Sequence, residues 1–299
     1  MLLVKRRLAW LAAMPLPALA HHAGGTPIFV AEPWAVACLA ASALLYAAGV
    51  RRLWRRAGAG RGIPVADVAR FTLGWLLICA ALLSPLDTWA ESSFAAHMVQ
   101  HELLMAAAAP LLVLGRPLEA WTWALAPRWR IAFAAAARAP WLRAAWGSMT
   151  SPVGAWTLHA IALWLWHVPL LFEAALASEA VHIAQHACFL GTALLFWWSV
   201  FDRGRRDSGA AALASLFTTM GHTGALGALL TFATHPWYAA YAAGGAFGLT
   251  AIEDQQLGGL VMWAPASLAY LVAALVIASR WLLPPRRIAD SAVPSRPSC

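Results

Sequence analysis

Apolar residues gather into seven long runs, at about 33–50, 65–86, 92–114, 152–168, 179–201, 211–232 and 256–281. Each is close to the ~20 residues that a helix needs to cross a ~30 Å hydrocarbon layer. None shows the apolar–polar alternation of a barrel strand, so helices satisfy the backbone within each run. The pattern predicts an all-α fold, a polytopic transmembrane helical bundle of seven spans occupying residues 21–282 of a lipid bilayer protein. Residues 283–299, rich in Pro, Arg and Ser, read as a disordered cytoplasmic tail.

The first twenty residues follow a different pattern. Lys5, Arg6 and Arg7 precede a short apolar stretch broken by Pro15 and Pro17, which ends in Ala18-Leu19-Ala20. A basic start, a short core and an A-x-A site mark a secretory signal peptide rather than a span. Cleavage after Ala20 would expose His21-His22, where a free amine beside an imidazole can chelate a metal; a disordered polar start is the plainer reading.

Composition supports the membrane assignment: 62% of residues are hydrophobic and 11% charged, against about 25% charged in soluble domains. The net charge of +8 raises the question of a nucleic-acid partner, which the placement of the charges answers in the negative. Arg51, Arg52, Arg55, Arg56, Arg61 and Arg70 follow the first run, and Arg116, Arg128, Arg130, Arg138 and Arg143 the third. Arg203, Arg205 and Arg206 follow the fifth, and Arg280, Arg286, Arg287 and Arg296 the seventh. All other connections lack Lys and Arg. The positive-inside rule then places the C-terminus in the cytoplasm of a bacterial inner membrane and the mature N-terminus in the periplasm. Acids mark the opposite side: Glu32, Asp87, Glu91, Glu173, Glu179, Glu253 and Asp254. The segment 115–150, with five Trp and five Arg, predicts one or two interfacial helices. Cys38, Cys79, Cys188 and Cys299 form no C-x-x-C pair and give no disulfide framework.

Candidate chemistry lies in the histidines. His97-Met-Val-Gln100-His101 and His182-Ile-Ala-Gln185-His186 repeat the pattern H-x-x-Q-H in the outer thirds of the third and fifth runs. Residues four apart share a helix face, so each pair can present two imidazoles to one ion, and imidazole suits Cu, Zn, Fe and Ni. Ionisable groups inside a membrane are expensive and tend to be functional. His167, His222 and His235 are possible additional ligands, and Gln100, Gln185 and Asp254 are candidates to orient the ligands from behind. His159 lies deeper, where a structural role is the simpler reading.

Around these residues the chain resembles the CtaG-type cytochrome c oxidase assembly factors linked to caa-type oxidases. The matching stretches are His97-Met98-Val99-Gln100-His101-Glu102-Leu103-Leu104, Ala109-Pro110-Leu111-Leu112-Val113-Leu114-Gly115-Arg116-Pro117, Leu163-Trp164-Leu165-Trp166-His167-Val168-Pro169, His182-Ile183-Ala184-Gln185-His186 and Asp254-Gln255-Gln256-Leu257-Gly258-Gly259-Leu260-Val261-Met262-Trp263. The fifth run departs from the pattern by ending Trp197-Trp198-Ser199-Val200, where a proline is expected. The resemblance implies a seven-span protein that is not an enzyme and that supports copper insertion into a haem-copper oxidase. Its partners would be an oxidase subunit or a periplasmic copper chaperone; a homodimer stays open. Two other readings stand beside it, a b-type haem protein and a metal or proton transporter. Metal-dependent hydrolysis is disfavoured, since no H-E-x-x-H motif occurs.

Overall fold

The computed structural model describes residues 33–201, 208–244 and 246–282. The expected signal peptide, His21-His22 and the expected tail lie outside the described residues. The described residues are helical with no strand: α1 (Pro33–Ala57), α2 (Val65–Leu82), α3 (Pro85–Ser92), α4 (Phe94–Glu102), α5 (Ala109–Leu114), α6 (Pro117–Ala124), α7 (Pro127–Ala136), α8 (Pro140–Met149), α9 (Pro152–Trp166), α10 (Pro169–Ala177), α11 (Glu179–Phe201), α12 (Ser208–Thr231) and α13 (Ala251–Leu282). Among the described residues, six helical stretches are long and apolar enough to cross a membrane. The pair α9 and α10, bent by 75°, makes a seventh if the two helices form one broken span.

Proline and serine explain where the structure departs from seven straight rods. Proline fits the first turn of a helix and interrupts a continuing one. Pro85 ends the second span at Leu82, shorter than the apolar run, and opens α3, capped by Ser84. Pro169 breaks the fourth span after Trp166 and starts α10. Pro117, Pro127 and Pro140 divide the Trp- and Arg-rich connection into three short helices rather than one or two. Pro110 brings a subtler change to the third span. It cannot donate to the carbonyl four residues back, and its ring crowds that carbonyl. Between α4 and α5 the chain takes a wide π turn, Leu103–Ala108, in which the Ala109 N–H donates to the Leu104 carbonyl five residues behind.

This third span is the hub. Leu104, Ala108 and Leu112 pack with α1, α2 and α6. Met105 and Ala109 pack with Leu163, Phe189, Phe196, Trp197, Leu216 and Tyr270. Phe94 and Met98 close the other end against Phe172, Leu226, Tyr238 and Met262. The outward faces stay apolar, with Leu44 71% and Phe217 72% exposed, a surface that suits lipid and not water.

Small residues allow close helix contacts. At the crossing of α12 and α13, a Cβ on Gly259 would lie 2.6 Å from the Gly227 carbonyl oxygen, and one on Gly227 would lie 2.7 Å from the Gly259 oxygen. Gly259→Val is expected to push the helices apart and cost about 1–3 kcal/mol, read as a lower unfolding midpoint in detergent. Gly221→Ala, whose Cβ meets nothing within 4 Å, should leave the midpoint unchanged or slightly raised. Equal effects of the two would show that the crossing is not packed as described.

Candidate metal centre

α4 and α11 place their histidines at the same offset from their starts. His97 is the fourth residue of α4 and His101 the eighth; His182 and His186 hold the same positions in α11. Ring centroids lie 4.3 Å apart in the first pair and 4.2 Å in the second. Across the helices the distances are 5.5 Å from His97 to His182, 6.3 Å from His97 to His186 and 5.3 Å from His101 to His186. His167, at the break after α9, joins at 6.4 Å from His101. Five imidazoles thus form one cluster, and Phe172 and Phe189 pack against three of them, His97, His101 and His167. His97, His101 and His167 are almost wholly buried.

One nitrogen each from His97, His182 and His186 lie within 4.8 Å of one another. Two imidazole nitrogens on one ion are at most about 4 Å apart, twice a metal–nitrogen bond of about 2.0–2.1 Å. Three nitrogens sharing one ion lie closer still, about 3.3–3.6 Å apart in trigonal or tetrahedral geometry, so closure by up to about 1.5 Å brings the three onto one ion.

Hydrogen bonds fix how two of the rings present themselves. The Tyr241 hydroxyl donates to the Ala90 carbonyl (2.7 Å). Its oxygen is left to accept from Nδ1–H of His97 (3.2 Å). His167 donates Nδ1–H to the Leu163 carbonyl (2.6 Å). The Nε2 atoms of both are buried without a partner, as are Nε2 of His182 and His186 and both ring nitrogens of His101. Buried polar atoms are nearly always satisfied. An unpaired Nε2 lone pair behind an anchored Nδ1–H is how a metal-binding histidine is held.

The other sequence candidates are placed differently. Gln100 donates through Nε2 to the Ala81 carbonyl (2.9 Å) and to Asp87 (2.6 Å), not to an imidazole. Gln185 is fully buried, and neither amide atom has a partner among the described residues. Asp254 accepts from the Ser93 hydroxyl (2.7 Å) and from the N–H groups of Phe94 (2.6 Å) and Ala95 (3.1 Å). It caps the helix that carries His97 and His101 and does not touch a ring. His222 packs on Trp156, 5.6 Å between centroids, in a separate group with His159, whose Nδ1 donates to Thr192 (3.1 Å). His235 is exposed beside Thr234.

Three contributors escape sequence reasoning. Tyr241 and Tyr238, whose hydroxyl donates to the His167 carbonyl (3.0 Å), come from the connection between α12 and α13. The available signal was the placing of two of the chain's four tyrosines there. Asp87, on α3, stands beside the cluster. Burial holds its carboxyl above the usual range, while the Gln100 hydrogen bond and the field of His182 oppose that rise. Burial and then Asp87 raise neighbouring Glu91 in the same direction.

Comparison with known proteins places the chain in a family. A profile of the cytochrome c oxidase caa3 assembly factor family matches residues 44–283, and the chain belongs to that family. A protein of Mycobacterium bovis and one of Mycobacterium tuberculosis, both described as uncharacterized, are each 28% identical over 266 residues, covering 83% of this chain. The chain spans 38% of the length of these relatives. No solved structure matches.

Asp254→Ala would strip the acceptors from the first turn of α4 and leave buried N–H groups unpaired. The expected cost is on the order of 2–3 kcal/mol, seen as a lower unfolding midpoint in detergent. Asp254→Asn, which keeps a carbonyl oxygen, should lose less. An unchanged midpoint in Asp254→Ala would mean that the cap does not hold the span.

Proposed function

We propose that this member of the caa3 oxidase assembly factor family binds copper as cargo at His97, His182 and His186 and supports its insertion into a haem-copper oxidase. It does so without catalysing a reaction. His101 and His167 stand next to the three as further imidazoles for exchange. The observation that carries the reading is the set of three imidazole nitrogens within 4.8 Å, one of them oriented from behind by Tyr241. Neutral imidazoles suit copper among several metals, and the family's oxidase client selects copper from that group.

The cluster sits at the end of the third span opposite Arg116, and the arginines favour that opposite end as cytoplasmic. The site then faces the periplasm of a bacterial inner membrane, where an oxidase subunit or a soluble copper chaperone can meet it. Asp87 beside it favours a cation, and His97, buried at 1% exposure, keeps the ion out of bulk water.

The test is copper content after anaerobic loading with Cu(I) under chelator competition. The full-length protein should retain about one copper per chain by the three-nitrogen geometry. A His97→Ala/His101→Ala/His182→Ala/His186→Ala variant that keeps its helical circular dichroism should retain none. Tyr241→Phe removes the acceptor for the His97 Nδ1–H and should weaken binding about 10–100-fold. Equal copper in wild type and quadruple variant, or a Soret band in place of copper, would overturn the reading.

A further inference from the structure

A second site lies on the far side of the bundle and owes nothing to the histidines. Between α1 and α2 runs a trough of about 650 Å³, within the roughly 300–1,000 Å³ of ligand sites. Every third or fourth residue from Ala43 to Arg55 on α1, and from Val68 to Trp75 on α2, faces it. That stretch of α1 is roughly 18 Å long at about 1.5 Å per residue, close to one leaflet of a ~30 Å hydrocarbon layer.

The walls are apolar because their polar atoms are already used elsewhere. Tyr46 stacks on Phe71 with centroids 3.6 Å apart and donates its hydroxyl to the Gly115 carbonyl (2.7 Å). Trp54 donates to the Ile63 carbonyl (2.9 Å) and Trp75 to the Leu39 carbonyl (3.0 Å). These bonds hold the aromatic rings in place before anything binds.

Charge enters at one end only. Arg51 and Arg55, one helical turn apart, line the trough there, and no acid lines it. Four of the surrounding arginines have partners: Arg52 bonds the Ala124 carbonyl, Arg56 faces the Trp123 ring, Arg70 pairs with Asp67, and Arg116 pairs with Glu119. Arg51 and Arg55 make no ion pair or hydrogen bond among the described residues. Like charges at this spacing repel, and guanidinium pairs suit phosphate oxygens.

We infer that this trough binds one anionic phospholipid from the surrounding bilayer, its phosphate on Arg51 and Arg55 and an acyl chain along the Tyr46–Phe71 and Trp54–Trp75 walls. The lipid fills the gap between the first two spans and neutralises both arginines. A neutral zwitterionic lipid offers its phosphate with a competing ammonium and binds less well.

The test reconstitutes the full chain in bilayers of equimolar phosphatidylglycerol and phosphatidylcholine, extracts it in mild detergent and counts retained lipid by native mass spectrometry. One phosphatidylglycerol per chain is expected, with at least a tenfold preference over phosphatidylcholine. Arg51→Gln/Arg55→Gln should abolish the preference. Ala47→Trp, which fills the trough, should lose the retained lipid. Arg128→Gln/Arg130→Gln, basic residues away from the trough, should retain it. Equal retention of the two lipids by wild type, or an undiminished preference in Arg51→Gln/Arg55→Gln, would overturn the site. Since neither arginine carries a described contact, that variant does not depend on repacking.

Discussion

The carboxylate of Asp254 joins the start of the last span to the start of the third. It takes two backbone N–H groups and the Ser93 hydroxyl at once, at a helix N-terminus where negative charge is favoured. Because α4 begins there, His97 and His101 face inward at a set depth. The neighbouring glutamines of α13 extend the same tie: Gln255 accepts from the Trp237 N–H (2.6 Å) and Gln256 donates to the Ala233 carbonyl (3.1 Å). They hold the connection that delivers Tyr238 and Tyr241. Positioning of the histidines therefore depends on residues distant from them in sequence and not in contact with them.

Within that frame, most polar groups freed by helix breaks are satisfied and a smaller set is not. Backbone carbonyls freed by helix breaks find donors: Met105, within the π turn, receives the Trp197 N–H (2.9 Å), and His167, at the fourth-span bend, receives Tyr238. In a medium without water this is required. Among the described residues the imidazole nitrogens of the cluster are the densest group of buried polar atoms without a partner; others lie on Gln100, Gln185, Trp156, His159, Thr219 and His222. An unpaired buried nitrogen is unfavourable, and five rings gathered together multiply that cost. Packing alone would favour apolar side chains there. Under the proposed function a bound cation would take up the imidazole lone pairs that the protein leaves without a donor.

Much of this was legible in the sequence. Apolar runs of membrane length give the spans directly, and the H-x-x-Q-H repeats give two imidazole pairs on helix faces. Their equal depth follows because both lie the same distance from a helix start. What sequence periodicity could not place was set by single prolines and by long-range contacts. Pro110 turns an expected continuous helix into one with a π turn, and Pro169 bends the fourth span at His167. Gln100 sits one residue before a histidine, so it points to another side of the helix and finds Asp87 instead of a ring. Asp254 and Tyr241 act across 160 and 144 residues of chain, a separation that no local pattern encodes.

The two ends of the bundle handle charge in opposite ways, and this bears on what can enter. Of the described arginines, none is paired to a cluster histidine or to Asp87. Their partners are Asp67, Glu119, carbonyls and tryptophan rings. A guanidinium near the imidazoles would oppose a metal ion through a low-dielectric interior, where such interactions are least screened. Of the acids at the histidine end, Asp87 acts on the cluster through His182, and Asp254 is engaged in its cap. The cluster is thus a set of imidazoles beside a carboxylate, the surroundings that the proposed cation cargo would need, while the arginines stay at the far end of the spans.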